Sequence, residues 1–212
     1  MFSILNFQYR IGKKLSPLIK AQFAMDSINL IIGNNGEGKS LLFRSLVGQN
    51  KINSGEIIYN DTPLEIHRLP ISFCPTSDYF CNDLKIDQYF GYLSTITHID
   101  EIKLRHLIRI FGINKHLQTR ISNLSEGEKR RLSIIETELM ESPLCFHDEP
   151  DANLDISYRE EWIKFLNQNK KGKIRLIITH YPHLYTGISE KIFEINKDHH
   201  IAIRSINEEV KA

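Results

Sequence analysis

The sequence predicts an α/β fold with a mainly parallel sheet, an antiparallel β-region at the N-terminus and a helical region in the middle. Short apolar runs typical of buried strands alternate with segments of helical periodicity. A glycine-rich turn joins one of these runs to a helix, and residues 77–120 are mainly helical in pattern. We expect a single domain over residues 1–212, with a helical part at about 77–140 inserted in its core.

The N-terminal half supplies the first strands and one helix. Residues 2–9 and 21–32 are apolar runs, and the second ends in INLII, which is typical of a buried strand. The segment LLFRSLVG is apolar at helical spacing and is closed by Gly48. A turn at Ser54-Gly55 then leads into a short strand over 57–59.

The C-terminal half follows the same alternation. A helix is expected from near Ser125 through RRLSIIETELM, because Ser125 and Glu128 form a capping box. The apolar runs LCFH and IRLIITH predict buried strands on either side of the helix ISYREEWIKFLNQNKK. The tail predicts two strands around a turn at 196–198.

Composition limits the classes of partner. The 27 basic and 26 acidic residues give a formal net charge of +1, which favours neither nucleic acid nor acidic lipid. The three cysteines are odd in number and irregularly spaced, which fits a reducing compartment without a disulfide framework. No secretory leader is expected, and no apolar run reaches the roughly 20 residues that span a bilayer. A membrane process would therefore need a second chain to supply the channel.

The segment from Gly33 to Ser40 has the pattern G-x-x-x-x-G-K-[ST], which is typical of a phosphate-binding loop. Its glycines let successive N–H groups point at phosphate oxygens, and the following helix adds its own free N–H groups. Lys39 can reach the β- and γ-phosphates, and Ser40 offers a hydroxyl to Mg²⁺. The alternative is a glycine-rich turn that merely joins a strand to a helix. The residues predicted to bind the nucleotide here are Gly33, Asn34, Asn35, Gly36, Glu37, Gly38, Lys39, Ser40 and Leu41.

Two carboxylates follow the apolar run LCFH. Asp148 lies where a strand end delivers side chains to the carboxyl edge of the sheet, and we expect it to hold Mg²⁺ with Ser40. Glu149 comes next and is placed to accept a proton from an attacking water. Taken alone, both could be solvated loop residues, but the phosphate-binding loop upstream favours function.

The chain resembles the nucleotide-binding cassette of ATP-binding cassette (ABC) ATPases over nearly its whole length. The segment LSEGEKRRL is similar to the family signature, DEPDANLD to its second acidic motif and D-loop, and LIITH to its switch-histidine strand. NSGEI is similar to the turn of the family's antiparallel subdomain. The resemblance implies a P-loop NTPase core with a helical signature subdomain.

The resemblance also implies residue roles, with two cassettes facing each other head to tail. Ser125 and Gly127 would close on the γ-phosphate held by the other cassette, and Asp155 would couple the two sites. His180 would link the γ-phosphate to Glu149, with Lys39 and Glu149 completing the catalytic set. Tyr9 would stack on the adenine ring; the alternative is an aromatic packed in the core.

The sequence departs from the family pattern at several positions. The resemblance implies a Mg²⁺ contact at Thr76, which stands where the family has a glutamine. Its shorter side chain would need a bridging water to reach the cation; the alternative is that it does not reach it, which would also affect the coupling to a partner. Glu126 and Glu128 replace a glycine and the glutamine of the signature. We interpret His147 as a packing or hydrogen-bonding residue and the pair His199-His200 as solvated, not as metal ligands.

The resemblance therefore implies an ATP-binding and ATP-hydrolysing subunit that powers transport through a separate integral-membrane permease. Its cofactors would be ATP and Mg²⁺, and it would sit on the cytoplasmic face of the inner membrane through the permease. Tyr79, Phe80 and Leu84 would help to line the groove that grips that permease. The alternatives are an ABC ATPase of a soluble process, of the ribosome-associated or DNA-repair type, and a regulatory cassette without turnover. No nucleic-acid partner is expected.

Overall fold

The structure, a computed structural model, describes residues 1–76, 80–198 and 200–205. Within these ranges it contains eleven strands and five α-helices. The strands are β1 (Phe2–Ile11), β2 (Lys14–Leu15), β3 (Ile19–Phe23), β4 (Ser27–Ile32), β5 (Ile52–Tyr59), β6 (Thr62–Pro63), β7 (Ile71–Cys74), β8 (Leu144–Asp148), β9 (Ile174–Ile178), β10 (Ser189–Ile195) and β11 (Ile201–Ser205). The helices are α1 (Lys39–Leu46), α2 (Ile86–Ile96), α3 (Glu101–Ile110), α4 (Glu126–Leu139) and α5 (Ile156–Gln168).

The larger sheet has six strands in the order β11-β10-β4-β9-β8-β7. All neighbours are parallel except β11, which pairs antiparallel with β10 at the edge. Strands β8 and β9 are buried along their whole length, which explains their mainly apolar sequences. The predicted mainly parallel sheet is confirmed. Because β4, β8 and β9 run in the same direction, the loops that follow them meet at one edge.

The smaller sheet is antiparallel, and β1 is its central strand. Strand β1 pairs with β2 and β3 along one edge and with β5 along the other. An aromatic cluster joins it to the larger sheet through α1. The Phe146 ring on β8 lies 4.9 Å from the ring of Phe43 on α1 and 6.0 Å from that of Phe2 on β1. This packing fixes the start of α1 against the end of β8, where the predicted phosphate-binding residues lie.

The helical region lies between β7 and β8 in the chain and packs on the other face of the larger sheet. Helix α4 and the fully buried Trp162 of α5 belong to one hydrophobic cluster with α2 and α3. Ser125 is the N-cap of α4, as the capping box predicts. In the described part of the chain, no helix is both long enough and apolar enough to cross a membrane.

Candidate functional site

The phosphate-binding loop connects β4 to α1. Gly33, Gly36 and Gly38 adopt φ values of 148°, 85° and 90°, which L side chains rarely adopt. Gly38 is the N-cap of α1 and makes no side-chain cap, so the first N–H groups of the helix remain available. The backbone of this segment can therefore cradle an anion against the positive end of the helix.

Two charged side chains fold onto the loop. The Lys39 ammonium donates to the carbonyls of Gly33 at 2.7 Å and of Asn34 at 2.9 Å. Burial lowers the pKa of Lys39, while the carboxylates of Glu149, Glu37 and Asp148 act in the opposite direction. The Glu37 carboxylate accepts from the Asn34 side chain at 2.9 Å and from its backbone N–H at 2.5 Å, and the side-chain bond lowers its pKa most.

The carboxylate of Asp148 lies at the end of β8 beside the start of α1. It is fully buried, and the Ser40 hydroxyl donates to its Oδ1 at 3.1 Å. Its Oδ2 is buried and has no hydrogen-bond partner among the described residues. Burial raises the pKa of Asp148, and the Thr76 side chain partly offsets this shift. A buried carboxylate oxygen without a partner, next to a hydroxyl, fits a hard divalent cation such as Mg²⁺.

Glu149 and His180 meet at the same edge, from β8 and β9. The backbone N–H of Glu149 donates to the carbonyl of Ile178 at 2.9 Å. Glu149 has a φ of 54°, a left-handed conformation uncommon for this residue type, which is often found at functional sites. Its Oε1 lies 3.2 Å from Nε2 of His180. The two residues predicted from separate motifs are therefore brought into contact.

A pocket of about 180 Å³ lies between the loop and Glu149. It is lined by Asn35, Gly36, Gly38, Lys39, Ser40, Leu41 and Glu149. The signature residues Ser125 and Gly127 are not among the residues that line it.

The start of α4 has the predicted capping box. The Ser125 hydroxyl accepts from the N–H of Glu128 at 3.3 Å, and the Glu128 carboxylate accepts from the N–H of Ser125 at 2.8 Å and from its hydroxyl at 2.9 Å. Burial raises the pKa of Glu128, but the hydrogen bonds from Ser125, together with the nearby His116 and Arg131, outweigh burial, so the pKa lies below its usual value. Gly127 packs closely on the D-loop, because a Cβ there would lie 2.6 Å from the carbonyl oxygen of Asn153.

Asp155 is the N-cap of α5, although its side chain makes no cap bond. The side chain is exposed to solvent, which leaves it available to another chain.

The prediction that Tyr9 stacks on adenine is corrected. Tyr9 is fully buried on β1, its ring lies beside that of Phe7, and its hydroxyl donates to the carbonyl of Gly38 at 3.2 Å. No face of the ring is accessible to a base, so Tyr9 supports the phosphate-binding loop from the protein interior through its bond to Gly38. Ile11 is the half-buried residue of β1 nearest to the loop, about 3.3 Å from where a Cβ on Gly38 would lie.

The prediction of a permease groove at 79–84 is corrected in part. Phe80 is 8% exposed and packs its ring edge-on against Tyr89 of α2 at 5.4 Å, so it is a core residue. Leu84 packs partly buried against the same cluster. Tyr79 lies outside the described residues, as does His199. His147 is fully buried, contacts Glu138 and packs on Trp162, which confirms the packing interpretation.

One residue of α4 contacts the Thr76 segment and was not singled out from the sequence. Arg130 is 4% exposed and donates to the carbonyls of Pro75 at 2.6 Å and Thr76 at 3.2 Å. It ties the signature helix to the segment beside Asp148. No sequence pattern signals this contact, because its acceptors are backbone carbonyls, which every residue carries.

The comparison with protein families decides the identity. Residues 18–152, more than half of the chain, match the model described as ABC transporter. The chain belongs to the ABC transporter family. It has the family's ATPase cassette, and the resemblance stated from its motifs is confirmed.

The cassette is similar to curated transporter proteins. It is 30% identical to the energy-coupling factor transporter ATP-binding protein EcfA2 of Clostridium perfringens, over 83% of this chain and 67% of that protein. It is 27% identical to a putative hemin import ATP-binding protein, HrtA, of Staphylococcus saprophyticus, over 87% of this chain and 90% of that protein. It spans only 26% of the ABC transporter G family member 20 of Dictyostelium discoideum, at 27% identity.

Solved structures share the fold of the cassette. The ATP-binding subunit of an ABC transporter has a TM-score of 0.85 at 19% identity, covering 98% of this chain and 91% of that chain. A dimeric cassette in a post-hydrolysis state, bound to ADP and Pi, has a TM-score of 0.82 at 17% identity, with coverages of 97% and 99%. These likenesses confirm the predicted P-loop NTPase architecture.

Proposed function

We propose that the cassette binds ATP with Mg²⁺, hydrolyses it as one half of a two-cassette site, and so powers transport through a separate membrane permease. One observation carries this proposal. A single edge of the parallel sheet holds the Lys39 loop, the Ser40–Asp148 pair and the Glu149–His180 pair. These are the parts that phosphoryl transfer to water needs: a phosphate cradle, a cation site and a base.

Ser40 and Asp148 would hold Mg²⁺. Burying the Oδ2 of Asp148 without a hydrogen-bond partner costs free energy unless a ligand binds to it. A cation at this position would favour the charged form of the carboxylate. When bound, Mg²⁺ neutralises charge on the phosphate oxygens. The Thr76 side chain, which follows β7, lies beside Asp148 and acts to lower its pKa, so it would favour the charged carboxylate that holds the cation.

Side chains at the pocket would activate the attacking water and stabilise charge on the phosphate. Glu149 would orient the attacking water and accept its proton, and His180 would hold the Glu149 carboxylate and contact the γ-phosphate. Lys39 would exchange its loop carbonyls for phosphate oxygens and stabilise the charge that develops on them.

A second cassette, either another copy or a paralogue, would complete the site. Ser125 and Gly127 would present the N–H groups at the start of α4 to the phosphate bound by the other chain. The exposed Asp155 would contact that chain and couple the two sites. The dimeric relative bound to ADP and Pi supports this arrangement.

The transport role rests on the relatives. EcfA2 and HrtA are named as transporter and import ATP-binding proteins, which favours transport over a soluble process. We propose that the whole chain is one cassette, with the helical part at about 77–140 facing an integral-membrane permease. The cassette would then lie on the cytoplasmic face of the inner membrane, held there by the permease. The cargo would be chosen by the permease.

Steady-state ATP hydrolysis tests the catalytic part of the proposal. Glu149→Gln keeps the side-chain shape but removes the base, and we expect at least a hundredfold loss of kcat with ATP affinity within threefold of wild type. Glu160→Gln, on the surface of α5, is the matched control and should keep the wild-type rate. Equal rates for wild type and Glu149→Gln would reject Glu149 as the base.

The partners require a separate experiment. Glu149→Gln with ATP and Mg²⁺ should accumulate a two-cassette complex, seen as a doubled mass by light scattering. The cassette purified from detergent-solubilised membranes should carry one integral-membrane protein in fixed proportion. Recovery with ribosomes or DNA in place of a membrane protein would support the soluble alternative.

A further inference from the structure

A buried carboxylate lies two residues after the proposed base and takes no part in the mechanism above. Asp151 is 1% exposed. Its Oδ2 accepts hydrogen bonds from the hydroxyls of Thr179 at 2.5 Å and Tyr185 at 3.0 Å. The segment that carries Glu149 is thus tied to the end of β9.

Thr179 is the residue immediately before His180. Its hydroxyl donates to Asp151 and at the same time accepts from the N–H of Tyr181 at 2.9 Å. The backbone is therefore held on both sides of His180, and both restraints end on the Asp151 carboxylate. The imidazole itself is left free to meet Glu149.

A second link runs through α5. Arg159 donates from Nε to the carbonyl oxygen of Asp151 at 3.1 Å, and its guanidinium lies 4.6 Å from the centre of the Tyr181 ring. Arg159 therefore links Asp151 to Tyr181, the residue after His180, by a second route besides the Thr179 hydroxyl. This contact does not depend on the Asp151 carboxylate.

We propose that Asp151 is a positioning residue that sets the distance between Glu149 and His180 by fixing the Thr179 turn. The inference rests on the proposed hydrolysis and adds to it the group that holds the catalytic pair in place. When the Thr179 hydroxyl is released, the turn at His180 gains freedom and the pair separates. Misplacement by about 1 Å costs on the order of a hundredfold in rate. ATP binding is unaffected, because the phosphate loop belongs to β4 and α1.

The test must separate positioning of His180 from a general contribution to the stability of the fold. It compares the removal of two hydroxyls that donate to the same Asp151 carboxylate. Thr179→Val removes the hydroxyl that leads to His180, and Tyr185→Phe removes the hydroxyl that leads away from it. Thr179→Ser is the conservative rescue, since serine keeps both hydrogen bonds. Asp151→Ala removes the acceptor itself. Each variant is assayed with its partner cassette for kcat, KM, ATP affinity and thermal unfolding.

We expect Thr179→Val and Asp151→Ala to lose at least tenfold in kcat with KM and ATP affinity within twofold of wild type. Thr179→Ser and Tyr185→Phe should keep kcat within threefold, even if Tyr185→Phe is less stable. Losses that follow thermal stability across the four variants, or an equal loss of kcat in Tyr185→Phe and Thr179→Val, would overturn the inference alone. A wild type that binds but never hydrolyses ATP would overturn the proposed function together with it.

Discussion

Glu138 on α4 and Asp148 on β8 are both buried carboxylates, yet their surroundings differ completely. Arg175 donates to Glu138 twice, at 3.1 and 2.8 Å, and Lys173 and His147 lie 3.3 and 3.2 Å from it. Asp148 accepts from Ser40, lies beside the Thr76 side chain, and has an Oδ2 without a hydrogen-bond partner among the described residues. Despite burial, the cations around Glu138 hold its pKa well below the usual range, whereas burial raises the pKa of Asp148.

The difference teaches that burial of a charge does not by itself mark a ligand site. At Asp148 the site is indicated by an oxygen without a partner that lies beside the Ser40 hydroxyl and the phosphate-binding loop. Glu138 is neutralised by the chain itself, so it organises the contact between α4, β8 and β9. Asp148 is left incomplete at an edge where a cation would complete it. His147 and Asp148 are neighbours on one strand and point to opposite faces, so β8 serves both purposes.

The largest effect is expected at the paired carboxylate. Glu138→Ala leaves Arg175 and Lys173 without their anion, and we expect a loss of about 3–5 kcal/mol in the free energy of unfolding. Urea denaturation measures it. ATP affinity of the folded fraction should stay within threefold of wild type. A change below 1 kcal/mol would mean that Glu138 is not the centre of the network.

The same carboxylate predicts a pH dependence. Because the folded-state pKa of Glu138 is depressed, its stabilising contribution is present above the unfolded value of 4.5 and is lost as the pH falls through the folded-state pKa. The stability advantage of wild type over Glu138→Gln should therefore be fully present at about pH 5 and shrink as the pH falls below 4.5. A constant advantage down to pH 3 would contradict the assignment.

The smallest effect is expected at Tyr9. Tyr9→Phe removes only the hydrogen bond to Gly38 beneath the phosphate loop, so we expect about 1 kcal/mol of lost stability. The ratio of ATP to GTP affinity should not change, since the ring does not meet the base. Fluorescent-nucleotide competition measures that ratio, and a tenfold shift in it would restore Tyr9 as an adenine contact.

Motifs in the sequence predicted the elements and most of the candidate site. The glycines at 33–38 and the capping box at Ser125 predict local backbone geometry, and the structure has both. The contact of Glu149 with His180 was implied by the family resemblance, and the structure explains it by two strand ends that meet at one edge. The backbone inferences needed only local pattern, whereas this contact needed the resemblance.

The remainder depended on packing that no local pattern encodes. Tyr9 was misassigned because its role was carried over from the family resemblance, and alternation along β1 does not show which of its faces is covered. Asp151 and Arg130 were missed because their partners are distant in sequence, at Thr179 and at the carbonyls of Pro75 and Thr76. The pairing of Glu138 with Arg175, 37 positions apart, was hidden for the same reason.

The most direct test of the central claim is calorimetric titration of ATP into wild type and Asp148→Asn, with and without Mg²⁺. Asparagine keeps the size of the side chain and an acceptor for Ser40 but removes the charge. If the incomplete carboxylate is a cation ligand, Mg²⁺ should tighten ATP binding to wild type at least tenfold and to Asp148→Asn less than threefold. Equal tightening of both by Mg²⁺ would contradict the account.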